Sequence, residues 1–115
     1  MDVRSTLKKN SDFRRLYNKG KSAVTPYMVV YCRRNREKAN RLGYTVSTKL
    51  GHAVVRNRVR RRLREIYRLN AAKLQTGYDI VIVARTRSVQ GDYWKMGNAF
   101  MSACEKLGLI RESEQ

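Results

Sequence analysis

Apolar positions along this chain of 115 residues change period several times, and each change marks an element. Val55, Val59, Leu63 and Ile66 fall at i, i+4, i+8 and i+11, one face of an α-helix. This spacing predicts a long helix from Ala53 to Leu74, stopped by Gly77. Tyr27 to Arg33 (YMVVYCR) is rich in β-branched and aromatic residues and reads as a strand. Alternation puts Tyr27, Val29, Tyr31 and Arg33 on one face and Met28, Val30 and Cys32 on the other. Tyr78 to Ala84 (YDIVIVA) is almost continuously apolar, as a central strand buried on both faces must be. Shorter strands are predicted over Lys21–Thr25 and Leu42–Thr48. A first helix is predicted from Asp12 to Asn18 or Lys19, capped by Asn10 or Ser11 and ended by Gly20. Asp92 is placed to cap a last helix with Tyr93, Gly97, Phe100, Cys104 and Leu107 as its buried stripe; Trp94 is assigned to core packing with Tyr93.

The resulting order, α-β-β-β-α-β-α, predicts an α+β two-layer sandwich with one mixed four-stranded sheet. The long helix becomes a βαβ crossover if the third and fourth strands are parallel. Residues 1–115 are read as a single domain, with 1–10 and 109–115 as flexible ends.

Charge changes the picture. A hydrophobic share of 42% marks a folded chain, yet 26 Lys and Arg stand against 9 Asp and Glu, a net +17. Such an excess implies a polyanionic partner: RNA, DNA or an anionic membrane. A membrane fits poorly. No apolar run approaches the roughly 18 residues needed to span a bilayer. The basic helix has no Trp and Phe face, and the start MDVRSTLKKNSDF has no apolar signal core. Cys32 and Cys104 both sit in apolar contexts, without a Cys or His cluster for zinc, and two unpaired thiols suit a reducing cytoplasm.

The charge is concentrated in HAVVRNRVRRRLREIYR, which carries seven arginines between Arg56 and Arg68. Asn57, Arg61, Arg64 and Arg68 form a row beside the apolar face, and Arg58 and Arg62 a further row. Guanidinium forks suit phosphate oxygens. A merely solvated face usually mixes signs, whereas Glu65 is the lone acid in the run. A protein nuclease is disfavoured, because carboxylates are scattered and there is a single His.

The stretch RLGYTVSTKLGHAVVRNRVRRRLRE (Arg41–Glu65) closely resembles the signature of the bacterial ribonuclease P protein component. So do KKNSDFRRLYNKG, YMVVY and YDIVIVAR; the likeness spans about residues 7 to 108. His52 stands where the family has Asn, and Thr48 where it has Lys. The resemblance implies a sandwich similar to the second domain of a small-subunit ribosomal protein, with a left-handed βαβ crossover. It implies association with a catalytic RNA subunit and Mg²⁺-dependent removal of the 5′ leader of precursor transfer RNA. The RNA holds the active site and most of the Mg²⁺, and this chain has no catalytic residue. It further implies that Lys49, Arg56, Asn57, Arg58, Arg60, Arg61, Arg64 and Arg68 contact RNA. Phe13, Tyr17 and Tyr31, with Arg60 reaching toward them, are implied to line a leader-binding cleft; by burial statistics alone the three rings read as core. Asn57 is a candidate for orienting a hydrated metal, since an amide oxygen is a hard ligand; a cap or turn contact is its alternative.

Two other classes compete. A ribosomal or general RNA-binding protein shares the charge and the sandwich without the cleft. A DNA-reading helix needs a preceding helix through a tight turn and short polar readers, which this run lacks, so no DNA partner is expected.

Overall fold

The structure, a computed structural model, describes residues 7–111. Its elements follow the predicted order: α1 (Asn10–Lys19), β1 (Lys21–Val24), β2 (Met28–Arg34), β3 (Arg41–Thr45), α2 (Ala53–Asn70), β4 (Tyr78–Ala84) and α3 (Tyr93–Lys106). The sheet runs β1-β2-β4-β3. β2 is antiparallel to both β1 and β4, while β3 is parallel to β4, with Arg41 opposite Asp79 and Tyr44 opposite Ile82. Parallel neighbours need a crossover, and α2 supplies it.

Strand alternation sorts the core onto two faces. Met28, Val30, Cys32, Leu42, Ile80 and Ile82 turn toward Val59, Leu63 and Ile66 of α2 and Met96 and Phe100 of α3. This is the α+β sandwich. On the opposite face Val81, Val83 and Tyr31 meet Leu7 and the Phe13 and Leu16 side chains of α1. β4 is thus covered from both sides, as its unbroken apolar run requires.

Two contacts fix how the pieces sit. Gly43 lies under the Phe13 ring: a Cβ there would stand 2.6 Å from Phe13 Cζ and 2.8 Å from Cε2. The missing side chain is what lets α1 approach β3. Asn40, buried before β3, satisfies its whole amide. Its Nδ2 donates to Gln75 O (2.9 Å) and to the Tyr67 hydroxyl (3.2 Å), and its Oδ1 accepts from Tyr78 N (2.9 Å). One side chain therefore ties α2 to both strands of the parallel pair. Arg41 Nε and Nη2 grip Asp79 Oδ1 and Oδ2 at 2.8 Å each, a bidentate cross-strand pair.

Several boundaries differ from expectation. Lys9 holds the N-cap of α1 without a side-chain bond, so neither Asn10 nor Ser11 caps it; Asp12 lies in the first turn and Gly20 ends the helix, as predicted. β3 stops at Thr45 rather than Thr48, because the Ser47 hydroxyl accepts from Lys49 N and starts a single 3-10 turn, Thr48–Leu50. α2 ends at Asn70 rather than Leu74. Asn70 Nδ2 bonds back to Ile66 O at 2.8 Å, and a 3-10 turn at Ala71–Lys73 follows.

The ends are better held than predicted. Leu7 is buried and its N–H donates to Leu42 O at 2.7 Å. Leu109 is buried, Ile110 bridges Leu74, and Arg111 N donates to Lys73 O at 2.8 Å. The ends expected to be flexible, 1–10 and 109–115, thus hold anchored residues at Leu7 and 109–111; Lys8, Lys9 and Asn10 are exposed, and 1–6 and 112–115 lie outside the described residues. The stripe of α3 is Met96, Phe100, Ala103 and Cys104, with Tyr93 and Gly97 only half-buried. Trp94 is not core at all: it is 75% exposed. Cys32 and Cys104 are buried free thiols, and burial pushes Cys104 up to about 12, so it stays protonated and inert.

Gly43→Ala is expected to destabilise the fold by about 1–3 kcal/mol through overpacking on Phe13. Urea unfolding measures this. Adding Phe13→Leu to Gly43→Ala should recover part of the loss, and no recovery would show that the strain lies elsewhere.

Candidate nucleic-acid interface

α2 begins with its dipole unopposed. His52 occupies the N-cap (φ −71°, ψ 171°) without a side-chain cap bond, and the first turn holds no acid. Free amide N–H groups and the positive helix end favour an anion here. Lys49, exposed on the preceding 3-10 turn, adds a cation to this entry. An Asn at position 52 would cap better than His, so His52 leaves these N–H groups without a side-chain partner.

The arginines divide by partner. Arg60 Nη1 donates to Asn57 Oδ1 at 2.9 Å, and Arg62 Nη1 reaches Gly91 O at 3.2 Å. Arg68 pairs with Glu65 one turn back and holds that carboxyl below the usual carboxylate range. Arg58, Arg61 and Arg64 are exposed and make no hydrogen bond or ion pair among the described residues. Arg56 is half-buried, and its Nε lacks a partner. The apolar side of the helix is Val59, Leu63, Ile66 and Tyr67, with Val55 half-buried.

Asn57 is exposed near the start of α2. Its amide oxygen is taken by the Arg60 cation, and no cluster of three His, Cys, Asp or Glu residues exists among the described residues. The contact with Asn57 positions Arg60.

Arg60 leads to a cleft of about 560 Å³ along the edge strand β3. α1 contributes Asn10, Phe13, Arg14 and Tyr17 to its wall; Tyr44, Thr45 and Val46 come from β3 and its exit. Phe13 and Tyr17, one turn apart, stand with centroids 6.5 Å apart, and the Tyr17 hydroxyl hydrogen-bonds Thr45 Oγ1 at 2.8 Å. Tyr17 is 40% exposed, too much for a core ring. Tyr31 is half-buried on β2, its ring edge-on to Tyr17 at 5.0 Å, so it supports the ring that faces the cleft. The structure therefore brings Phe13, Tyr17 and Arg60 to one opening, with Tyr31 against Tyr17. Lys49, Arg56, Asn57, Arg58, Arg61, Arg64 and Arg68 belong to the helix and its entry.

Sequence reasoning missed Tyr44, Thr45 and Val46. Burial pushes the Tyr44 hydroxyl's pKa up, against the pull of Arg64, so it stays a neutral donor and acceptor. The available signal was position: these residues end an edge strand directly before the basic helix.

Fold and charge together define a small α+β protein built to hold a polyanion. The family model described as Ribonuclease P matches residues 1–108. The ribonuclease P protein component of Alkaliphilus metalliredigens is 41% identical over 110 residues, covering 96% of this chain and 99% of that protein. That of Natranaerobius thermophilus is 42% identical, covering 94% of each. Among solved structures, the RNase P protein of Staphylococcus aureus aligns with a TM-score of 0.84 at 31% identity, covering 93% of this chain and 98% of that one. The Thermotoga maritima RNase P protein aligns at 0.79 and 32%, covering 95% and 100%. The chain belongs to the family of bacterial ribonuclease P protein components.

His52→Asn is expected to raise stability by about 0.5–1 kcal/mol by capping α2. A higher unfolding midpoint in urea would confirm it, and an unchanged midpoint would mean that the open helix end costs nothing in the free protein.

Proposed function

We propose that this chain acts as the protein subunit of ribonuclease P. Its α2 seats on the catalytic RNA subunit, and its cleft receives the 5′ leader of precursor transfer RNA. The observation that carries this reading is the shared use of one helix. Arg58, Arg61 and Arg64 are exposed for phosphate, while Arg60, held by Asn57, turns to the cleft of Phe13 and Tyr17. A seated RNA and a bound single strand are thereby set one helix face apart.

Leaders vary in sequence, and stacking on rings tolerates any base at about 1–3 kcal/mol each. Tyr17, exposed and oriented by Thr45, is the ring best placed to stack, with Tyr31 backing it. Arg60 then offers a charged donor to the leader's backbone. The chain contributes positioning and charge screening, not bond breaking. In this reading the metal chemistry of leader removal is assigned to the RNA partner. Among the described residues no helix is long and apolar enough to cross a membrane. The two buried free thiols accord with work in the cytoplasm.

The direct test is cleavage of a leader-bearing precursor transfer RNA at low Mg²⁺ by a bacterial ribonuclease P RNA, with and without this chain. A rate rise that needs both components is expected. Tight RNA binding without any rise would assign the chain a binding role unrelated to cleavage. Tyr17→Ala should weaken binding of the leader-bearing precursor to the assembled complex by about tenfold while leaving mature transfer RNA unaffected. Equal weakening of both would remove the leader from the cleft.

Arg61→Ala and Arg64→Ala should each weaken assembly with the RNA subunit. Each should also lower the slope of log affinity against log salt by about 0.7–0.9 for every phosphate that the missing guanidinium would have neutralised. An unchanged slope would show that these side chains do not meet phosphate.

A further inference from the structure

Away from the cleft, α3 opens with two adjacent aromatic residues, Tyr93 and Trp94, directly after the Asp92 cap. Trp94 is the sole tryptophan of the chain and is 75% exposed; its ring stands edge-on to Tyr93 at 5.6 Å and 80°. Packing of α3 does not call for it, since Met96, Phe100, Ala103 and Cys104 anchor the helix. Beside the two rings, a groove of about 340 Å³ runs between α2 and α3, lined by Ile66, Leu69, Lys73 and Met101. Leu69 is itself 53% exposed. The groove shares none of the cleft's residues. Tyr93 also lines a second depression with Arg58, Arg61 and Arg62, so it joins the arginine row to the groove.

An apolar groove with an exposed Trp can take a second copy of this chain or a nucleotide. Charge decides between them. The rim carries Lys73 and opens onto Arg58 and Arg61, and Glu65, the acid beside them, is already bound by Arg68. Two chains of net charge +17 would bring like charges together at this face. An unpaired nucleotide supplies what the surface lacks: a flat ring for Trp94 and a phosphate for the cations.

We infer that Trp94, backed by Tyr93, is a second stacking station. It takes an unpaired nucleotide of the same RNA whose phosphates meet Arg58 and Arg61. The inference rests on α2 being the RNA seat, and it adds an aromatic contact on the side opposite in role to the leader cleft. The track from Arg58 and Arg61 across Tyr93 to Trp94 selects a strand that leaves its helix, because a paired base cannot offer its face.

Trp94 is its own probe. The full chain is titrated with a bacterial ribonuclease P RNA while tryptophan fluorescence and binding are followed together. Quenching that saturates with binding is expected, as is about a tenfold loss of affinity in Trp94→Ala and near-normal affinity in Trp94→Phe. Because Trp94 is exposed, circular dichroism of Trp94→Ala should match the parent chain. Tight binding with an unchanged tryptophan spectrum and an unaffected Trp94→Ala would overturn the inference and leave the RNA seat standing. So would a concentration-dependent spectral change without RNA, matched by dimers in sedimentation, which would give the groove to a second copy. Failure of the parent chain to bind the RNA at all would overturn the seat on α2 together with the station.

Discussion

One helix has to be both the floor of the core and the face of the interface. α2 buries Val59, Leu63, Ile66 and Tyr67 against the sheet, while the positions between them carry arginine. Helical geometry allows this because the two sets occupy different faces of one cylinder. Burial of each large apolar side chain contributes about 1.5–3 kcal/mol, and that must outweigh the repulsion among cations a turn or two apart. Three of those cations are calmed locally: Arg60 by Asn57, Arg62 by the Gly91 carbonyl and Arg68 by Glu65. Arg58, Arg61 and Arg64 have no such partner among the described residues.

Because α2 is also the link between two parallel strands, its placement is not free. Asn40 bonds Tyr67 of α2, the Gln75 carbonyl and the Tyr78 amide at once, so the helix, its exit and the start of β4 are set by one buried amide. With α2 fixed over one face of the sheet, the other face receives α1, and Gly43 decides how closely. The cleft is the space left along β3 where these two arrangements meet. Residues far apart in the chain, Phe13, Tyr44 and Arg60, become neighbours through it.

Much of this was legible in the chain. The faces of β2 follow from alternation and the double burial of β4 from its apolar run, and both stand as read; the stripe of α2 holds at Val59, Leu63 and Ile66, with Tyr67 added and Val55 only half-buried. What periodicity could not show was structure made by single side chains. Asn70 ends α2 early and Ser47 turns β3 aside, and neither interrupts the hydrophobic pattern. Leu7, Leu109 and Ile110 sit in short apolar words without a period, so their anchoring was invisible. Trp94 was misplaced because an aromatic residue at a helix start looks like core until the helix's rotation is known. The exposed arginine row of α2 was read from spacing, but the meeting of Arg60 with Phe13 and Tyr17 came only through family likeness, since no local pattern links α1 to α2.

The short outer strand of the sheet acquires a meaning from the charge. β1 has four residues; Lys21 begins it, Val24 lies 59% exposed at its end, and Pro26 follows. In the free protein, mutual repulsion keeps such edges apart. A bound polyanion would cancel that repulsion. Brevity, a lysine and a nearby proline are then what remains to stop edge-to-edge strand addition. Protection of the β1 edge is therefore written into its rim and does not depend on the charge that a polyanion would neutralise.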